Sequence, residues 1–178
     1  HMTKLTNFLV LFLVLNFSSY SQNFLSTSGS SIVNENGDTV IFRGMGLGGW
    51  MVQEGYMMAP GGFSSTQYQI KDRLIELIGE EETDVFYHNW LSNHVRKIDI
   101  DSMKQWGFNL IRVPIHYNLF TEPIENEPFP NAYTEKEIGF TLLDSLLSWC
   151  KQNQIYLMID LHAAPGGQGY NADISDYD

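Results

Sequence analysis

The sequence predicts an α/β protein built around a parallel sheet. Residues 110–115 and 155–162 are nearly continuous apolar runs, which are typical of parallel strands covered on both faces. Helical patterns separate these strands from each other and from an earlier strand, and polar residues follow each strand end. The order strand, helices, strand, helix, strand is typical of (β/α)8 barrels, which keep their sites at the carboxyl ends of the strands.

A doubly wound dinucleotide-binding sheet would give a similar alternation. Residues 44–49 read GMGLGG, which matches the first two glycine spacings of the phosphate-binding fingerprint and then departs from it. Trp50 follows directly and would crowd a pyrophosphate. The sequence therefore argues against dinucleotide binding.

A short β-hairpin is predicted ahead of the first parallel strand. Ile32 and Val33 on one side and residues 39–42 on the other flank Asn36-Gly37, a pair that accepts the positive φ angles of a tight turn. The Ser-rich residues 26–31 are expected to form a connector. Glycines are frequent in residues 43–50, which indicates a strand end where backbones approach closely.

Four helices are predicted between the strands. The first ends at Gly79, the second spans about residues 83–94, and the third begins at Asp99 and ends at Gly107. The fourth, residues 134–154, begins with a predicted capping box between Thr134 and Glu137. The expected buried stripes are Ile70, Leu74, Leu77 and Ile78 in the first helix, and Ile138, Leu142, Leu146, Trp149 and Cys150 in the fourth.

Composition and charge restrict the class of partner. The chain has 178 residues, 43% of them hydrophobic, and a formal net charge of −11 with a pI near 4.7. Nucleic-acid binders concentrate Lys and Arg, so we expect no nucleic-acid partner. An anionic membrane surface is disfavoured for the same reason, whereas a neutral substrate fits.

The first 21 residues have the pattern of a secretion signal. Lys4 supplies the positive charge, residues 8–15 are all apolar, and Ser19 and Ser21 provide the small residues of a cleavage site. The apolar run is too short to span a bilayer, which takes about 20 residues. His1 before Met2 looks like a cloning remnant. We expect a secreted or periplasmic protein whose globular part is residues 22–178.

Cys150 is the one cysteine of the sequence. A single cysteine forms no internal disulfide, so packing must hold the fold together. Its place on the apolar stripe of the fourth helix predicts a small buried side chain rather than a nucleophile.

Three segments together resemble glycoside hydrolase family 5, in particular its cellulase and exo-β-1,3-glucanase-like members. They read RGMGLGGWMVQEGY at residues 43–56, GFNLIRVPI at residues 107–115 and DLHAAPGGQ at residues 160–168. Each falls at the end of a predicted strand, in the order of the family. The resemblance implies the amino-terminal portion of a (β/α)8 barrel, about three βα units of eight, preceded by the hairpin and ending before strand four.

The resemblance also implies a retaining mechanism with two glutamates, an acid/base after strand four and a nucleophile after strand seven. Neither strand is expected within residues 22–178. We therefore expect both catalytic glutamates C-terminal to Asp178, and an inactive fragment. Asn126-Glu127-Pro128 spells the family's acid/base motif, but it precedes the DLHAAPGGQ segment whereas the family's motif follows it. We interpret Glu127 as a chance match.

Arg112 ends the second parallel strand, and the resemblance implies that it supports and orients the nucleophilic glutamate. A guanidinium beside a carboxylate favours the ionised form. By the same resemblance, Glu54 and His162 bind hydroxyl groups of the sugar. Trp50, His116 and Tyr117 are further candidate substrate-binding residues, with packing beneath the site as the alternative for Trp50.

The leading hypothesis is a secreted β-glucanase or cellulase that binds a β-glucan or related oligosaccharide, acts as a monomer when full length and needs no cofactor or metal. A β-mannanase or another β-glycosidase on the same scaffold is the alternative within enzymes. A non-catalytic carbohydrate-binding protein is the alternative from another class. A metal site assembled from Asp160, His162 and His116 is the weakest alternative, because no dense ligand spacing supports it.

Overall fold

A computed structural model describes residues 24–58, 62 and 64–166. The predicted secretion signal, the end of the DLHAAPGGQ segment and Asp178 lie outside the described residues. A three-stranded parallel sheet forms the centre, in the order β3 (Gly44–Gly46), β4 (Leu110–His116) and β5 (Tyr156–Ala163). The predicted α/β class and the strand order along the chain are confirmed.

An antiparallel hairpin precedes the sheet, but its strands differ from the predicted ones. It pairs β1 (Ser26–Ser28) with β2 (Ser31–Val33), so the Ser-rich segment is a strand and not a connector. The two strands predicted for the hairpin, residues 32–33 and 39–42, are joined by a single β-bridge, between Val33 and Thr39. The Asn34 side chain explains this, because its Oδ1 accepts hydrogen bonds from the backbone N–H groups of residues 36 and 38 and so builds a wider loop.

The four predicted helices form in or close to their predicted intervals, and a short helix after β3 was not predicted. The helices are α1 (Gly55–Met58), α2 (Gln67–Ile78), α3 (Glu80–Asn93), α4 (Lys97–Gln105) and α5 (Glu137–Gln152), with 3-10 turns at Tyr117–Leu119 and Ile124–Asn126. Thr66 caps α2, and Gly79 ends it with a φ of 86°. The helix α4 begins at Lys97, two residues before the predicted start at Asp99. Asp99 is its third residue, and its carboxylate accepts a hydrogen bond from the backbone N–H of Arg96 at the N-cap position.

The predicted capping box of α5 is also wrong. The Thr134 backbone N–H and hydroxyl both donate to the Glu127 carboxylate, at 2.8 and 2.7 Å, so the threonine is already engaged with the preceding loop. The helix therefore starts three residues later, with Lys136 at its N-cap position.

The core lies between the outer face of the sheet and helices α4 and α5. Ile111, Val113, Ile100, Leu146 and Cys150 are all fully buried there. Burial raises the pKa of the Cys150 thiol to about 11, as befits the inert side chain predicted from the sequence.

The predicted helix stripes are only partly buried. In α2, Ile70 is buried whereas Leu77 is 78% exposed, and in α5 Ile138 is 42% exposed. On β5, Met158, Ile159 and Leu161 each remain about half exposed. Among the described strands β5 pairs with β4 alone, so its other edge and much of its apolar surface lack a cover within the described residues. No described helix is long and apolar enough to cross a membrane.

Candidate functional site

The ends of β4 and β5 bring together a cation, a carboxylate and an imidazole. In the parallel register Pro114 lies opposite Asp160, and alternate residues share a face, so Arg112, Asp160 and His162 all project from the side opposite the core. Arg112 Nη2 forms an ion pair with Asp160 Oδ2. His162 Nδ1 lies 3.0 Å from the same Asp160 oxygen and 3.2 Å from Arg112 Nη2.

Glu54 reaches this group from the loop that follows β3. That loop returns to the sheet where Met51 bridges Ile115, which places the next residues beside the end of β4. Glu54 is 3% exposed, and its Oε1 lies 3.8 Å from His162 Nε2. Glu54, Arg112 and His162, three residues predicted from the sequence, therefore lie around one point at the carboxyl ends of adjacent parallel strands.

Gly55 fixes the backbone directly after Glu54. Its N–H donates to the Ser65 carbonyl at 2.9 Å. A Cβ at this position would lie 2.6 Å from the Ser64 carbonyl oxygen and 2.7 Å from the Ser65 Cα. Only glycine allows the two backbone segments to approach this closely.

Gln53 anchors the other side of Glu54 and was not anticipated from the sequence. It is 1% exposed, its backbone N–H donates to Gln67 Oε1 at 2.9 Å, and its own Oε1 accepts from the Tyr87 hydroxyl at 2.8 Å. Its Nε2 has no hydrogen-bond partner among the described residues. A lone glutamine next to a glutamate carries no sequence signal for this role, since both anchors come from helices 14 and 34 residues away.

His116 and Tyr117 lie at the end of β4 in a cluster of aromatic rings. His116 is fully buried, its ring stacks on that of Tyr117 at 5.0 Å, and its Nδ1 accepts from the Asn118 N–H at 3.2 Å. The Tyr117 hydroxyl is 3.2 Å from that of Tyr68 on α2. These contacts tie the loop after β4 to α2.

Trp50 is 2% exposed and belongs to the hydrophobic core. Its indole N–H donates to the Leu91 carbonyl of α3 at 2.9 Å. This burial favours the packing alternative for Trp50 over direct contact with a ligand.

Three other sequence predictions concern catalytic and metal-binding groups. The Glu127 carboxylate is bound to Thr134, in the loop between the two 3-10 turns and α5, and so has a local structural role. The predicted position of the two catalytic glutamates, C-terminal to Asp178, lies outside the described residues and stays a prediction. Within residues 24–58, 62 and 64–166, no group of three or more His, Cys, Asp or Glu side chains is arranged to hold a metal ion.

Comparison with known proteins places these features in a family. The model of cellulase, glycosyl hydrolase family 5, matches residues 66–178. A beta-xylosidase of Phanerodontia chrysosporium is 35% identical over 82% of this chain and 29% of its own length. A probable glucan 1,3-beta-glucosidase A of Aspergillus niger is 33% identical over 72% of this chain and 29% of its own length.

The fold has a counterpart among solved structures. The crystal structure of a rutinosidase from Aspergillus niger superposes on this chain with a TM-score of 0.56 and 20% sequence identity. The superposition covers 76% of this chain and 37% of the rutinosidase chain. This chain thus spans less than a third of the curated relatives described above. The fold is the predicted portion of a (β/α)8 barrel, and the resemblance read from the three motifs is confirmed: the chain belongs to glycosyl hydrolase family 5.

Proposed function

We propose that residues 22–178 form the amino-terminal, sugar-binding portion of a secreted glycosidase that hydrolyses β-linked glucans. The observation that carries the proposal is the buried Glu54 carboxylate facing His162, with Arg112 beside them, at the strand ends. Barrel enzymes keep their sites at this end of the sheet. A carboxylate and an imidazole are hydrogen-bonding partners for the hydroxyl groups of a neutral sugar.

The proposed chemistry is a double displacement by two carboxyl groups. One protonates the glycosidic oxygen, and the other attacks the anomeric carbon to form a glycosyl-enzyme that water then opens. The Asp160 carboxylate is paired with Arg112 and His162, and the Glu127 carboxylate accepts hydrogen bonds from Thr134. We therefore assign neither as the acid/base or as the nucleophile. We propose that both glutamates lie on later strands, C-terminal to Asp178. In favour of this, β5 has an edge that is unpaired among the described strands and can pair with a further strand.

In this scheme Arg112 lies next to the position of the nucleophilic glutamate. Its guanidinium keeps that carboxylate ionised and aims it through a planar pair of N–H groups. Glu54 and His162 hold the sugar ring at the reacting position. Binding groups of this kind contribute to the rate by restricting the substrate to a reactive geometry.

A xylan-derived substrate is a second candidate, because a beta-xylosidase matches this chain at 35% identity. The two candidates are separated by assaying the full-length protein in parallel on laminarin, carboxymethyl-cellulose and xylo-oligosaccharides, with release of reducing sugar as the readout. We expect hydrolysis of the β-glucans by the full-length protein and none by residues 22–178. Hydrolysis of the xylo-oligosaccharides alone would assign the second candidate.

Variants test the assignment of the site. We expect Glu54→Gln to reduce kcat/KM of the full-length protein by about 10- to 10²-fold, the cost of losing a buried charge-assisted hydrogen bond. Glu127→Gln is the matched control, because it alters a carboxylate bound to Thr134 and away from the strand ends. Equal losses in both variants would contradict the placement of the site. Activity of residues 22–178 that is abolished by Glu127→Ala would contradict the assignment of the glutamates.

A further inference from the structure

We infer that Asp160 is a positioning residue, and that one of its oxygens sets both the direction of the Arg112 guanidinium and the tautomer of the His162 imidazole. The inference rests on the proposed function only for its kinetic consequence. Its structural part concerns where one proton resides, which can be observed without any activity.

Three atoms define the arrangement. Asp160 Oδ2 contacts Arg112 Nη2 and lies 3.0 Å from His162 Nδ1, and the two nitrogens are 3.2 Å apart. Arg112 has only donors to offer, and a carboxylate has only acceptors. Two hydrogen bonds directed at a single oxygen therefore bring the guanidinium and the imidazole into fixed relative positions.

The tautomer follows from the distances around the imidazole ring. At 3.0 Å, an unprotonated Nδ1 would turn its lone pair towards the lone pairs of Asp160, whereas an Nδ1–H donates to them. The other ring nitrogen, Nε2, is 3.8 Å from Glu54 Oε1, which is beyond hydrogen-bonding distance. The neutral ring therefore carries its proton on Nδ1 and presents Nε2 as an acceptor.

This tautomer determines what the site accepts. With Nε2 unprotonated, His162 and Glu54 offer two acceptors side by side, and both require a donor such as a ligand hydroxyl. If Asp160 were absent, Arg112 Nη2, 3.2 Å from Nδ1, would donate to it. The proton would then move to Nε2, and His162 would become a donor at the position where the ligand binds.

Selective ¹⁵N-histidine NMR on the full-length protein, with the ring in its neutral form, tests the inference. The nitrogen shifts separate a protonated from an unprotonated ring nitrogen. We expect His162 to show Nδ1–H in the wild type and Nε2–H in Asp160→Ala. Nε2–H in the wild type, or Nδ1–H retained in Asp160→Ala, would overturn the inference. Asp101→Ala is the matched control, because Asp101 also pairs with a cation, Lys97, but on α4.

Kinetics supply the second readout. Because Asp160 acts through His162 and Arg112, Asp160→Ala should lower kcat/KM by about 10²-fold in the wild-type background, the scale of a small misplacement. In a His162→Gln background the same change should cost several-fold less, since coupled residues are not additive. Equal losses in both backgrounds would contradict the action of Asp160 through His162. Asp160→Leu, which keeps a similar branched shape but offers no acceptor, replaces Asp160→Ala in both measurements if the alanine variant does not fold.

A protein that shows the predicted tautomers but hydrolyses none of the test glycans would refute the proposed function and leave the positioning role of Asp160 intact. A protein that hydrolyses the glycans but shows Nε2–H in the wild type would refute the positioning role of Asp160 and leave the proposed function intact.

Discussion

Replacing Gly55 by alanine should displace Glu54 without removing it. The added Cβ would lie 2.6 Å from the Ser64 carbonyl oxygen, 2.7 Å from the Ser65 Cα and 2.9 Å from the Ser65 carbonyl oxygen. All three are backbone atoms, so no side-chain rotation relieves the overlap. Ordinary contact begins at 3.4 Å, and the two segments must therefore separate by roughly 0.8 Å.

The cost follows from that separation. The 2.9 Å hydrogen bond from the Gly55 N–H to Ser65 would be lost, at about 1 kcal/mol. Overpacking of a buried position adds about 1–3 kcal/mol. We therefore expect the free energy of unfolding to fall by about 2–4 kcal/mol. Because Glu54 is the adjacent residue, its carboxylate moves with the backbone, and kcat/KM should fall by up to about 10²-fold.

The assay is denaturant unfolding together with kcat/KM on the preferred glycan, both on the full-length protein. Gly46→Ala on β3 is the matched control, since a Cβ there meets nothing within 4 Å. The reasoning is refuted if Gly55→Ala retains wild-type kcat/KM, or if both glycine variants lose activity equally.

Three further outcomes are expected. Arg112→Lys keeps the charge but loses the planar fork, so kcat of the full-length enzyme should fall by about 10²-fold with little change in KM; an unchanged kcat would reduce Arg112 to a structural ion pair. Cys150, with its pKa raised to about 11, should resist a thiol reagent at pH 8 in the folded protein and react at once in guanidinium; fast labelling of the native state would contradict its burial. Glu127→Ala should lower stability by about 1 kcal/mol and leave kcat unchanged, because the exposed Thr134 N–H and hydroxyl lose their acceptor but can turn to water; a loss of kcat at full stability would contradict this.

The sequence predicted the parallel strands and the order of the helices because their signals are local. Residues 110–115 and 155–162 are apolar runs long enough to define β4 and β5 within one residue. The errors occurred where a side chain has two possible partners. Thr134 could cap α5 or bind Glu127, and Asn36-Gly37 could form a two-residue turn or join the loop organised by Asn34. The pattern of neighbouring residues does not show which of two such partners a side chain binds in the folded protein.

Exposure was harder to predict than secondary structure. The periodicity of α2 marks Leu77 and Ile78 as core residues, yet they are 78% and 42% exposed. A helical stripe shows which side chains share a face, but burial depends on what packs against that face.

The candidate site was predicted through its motifs, and its supports were not. Arg112, His162 and Glu54 stand within segments that resemble the family, and the structure brings them together. Gln53 lies within the first of these segments, but its support of Glu54 could not be read from it. The partners Gln67 and Tyr87 lie outside all three segments, and their roles arise only when α2 and α3 fold against the loop after β3.

The two tryptophans behind the site have a consequence for dynamics. The Trp50 indole donates to the Leu91 carbonyl of α3, while the Trp90 indole of α3 donates back to the Gly49 and Trp50 carbonyls. These reciprocal bonds join helix and loop, so a motion of the loop that carries Glu54 must take α3 with it or break them. The Trp50 indole proton, which is buried, should exchange with solvent only through such an opening. Its exchange rate therefore reports how often the contact between α3 and the loop after β3 opens.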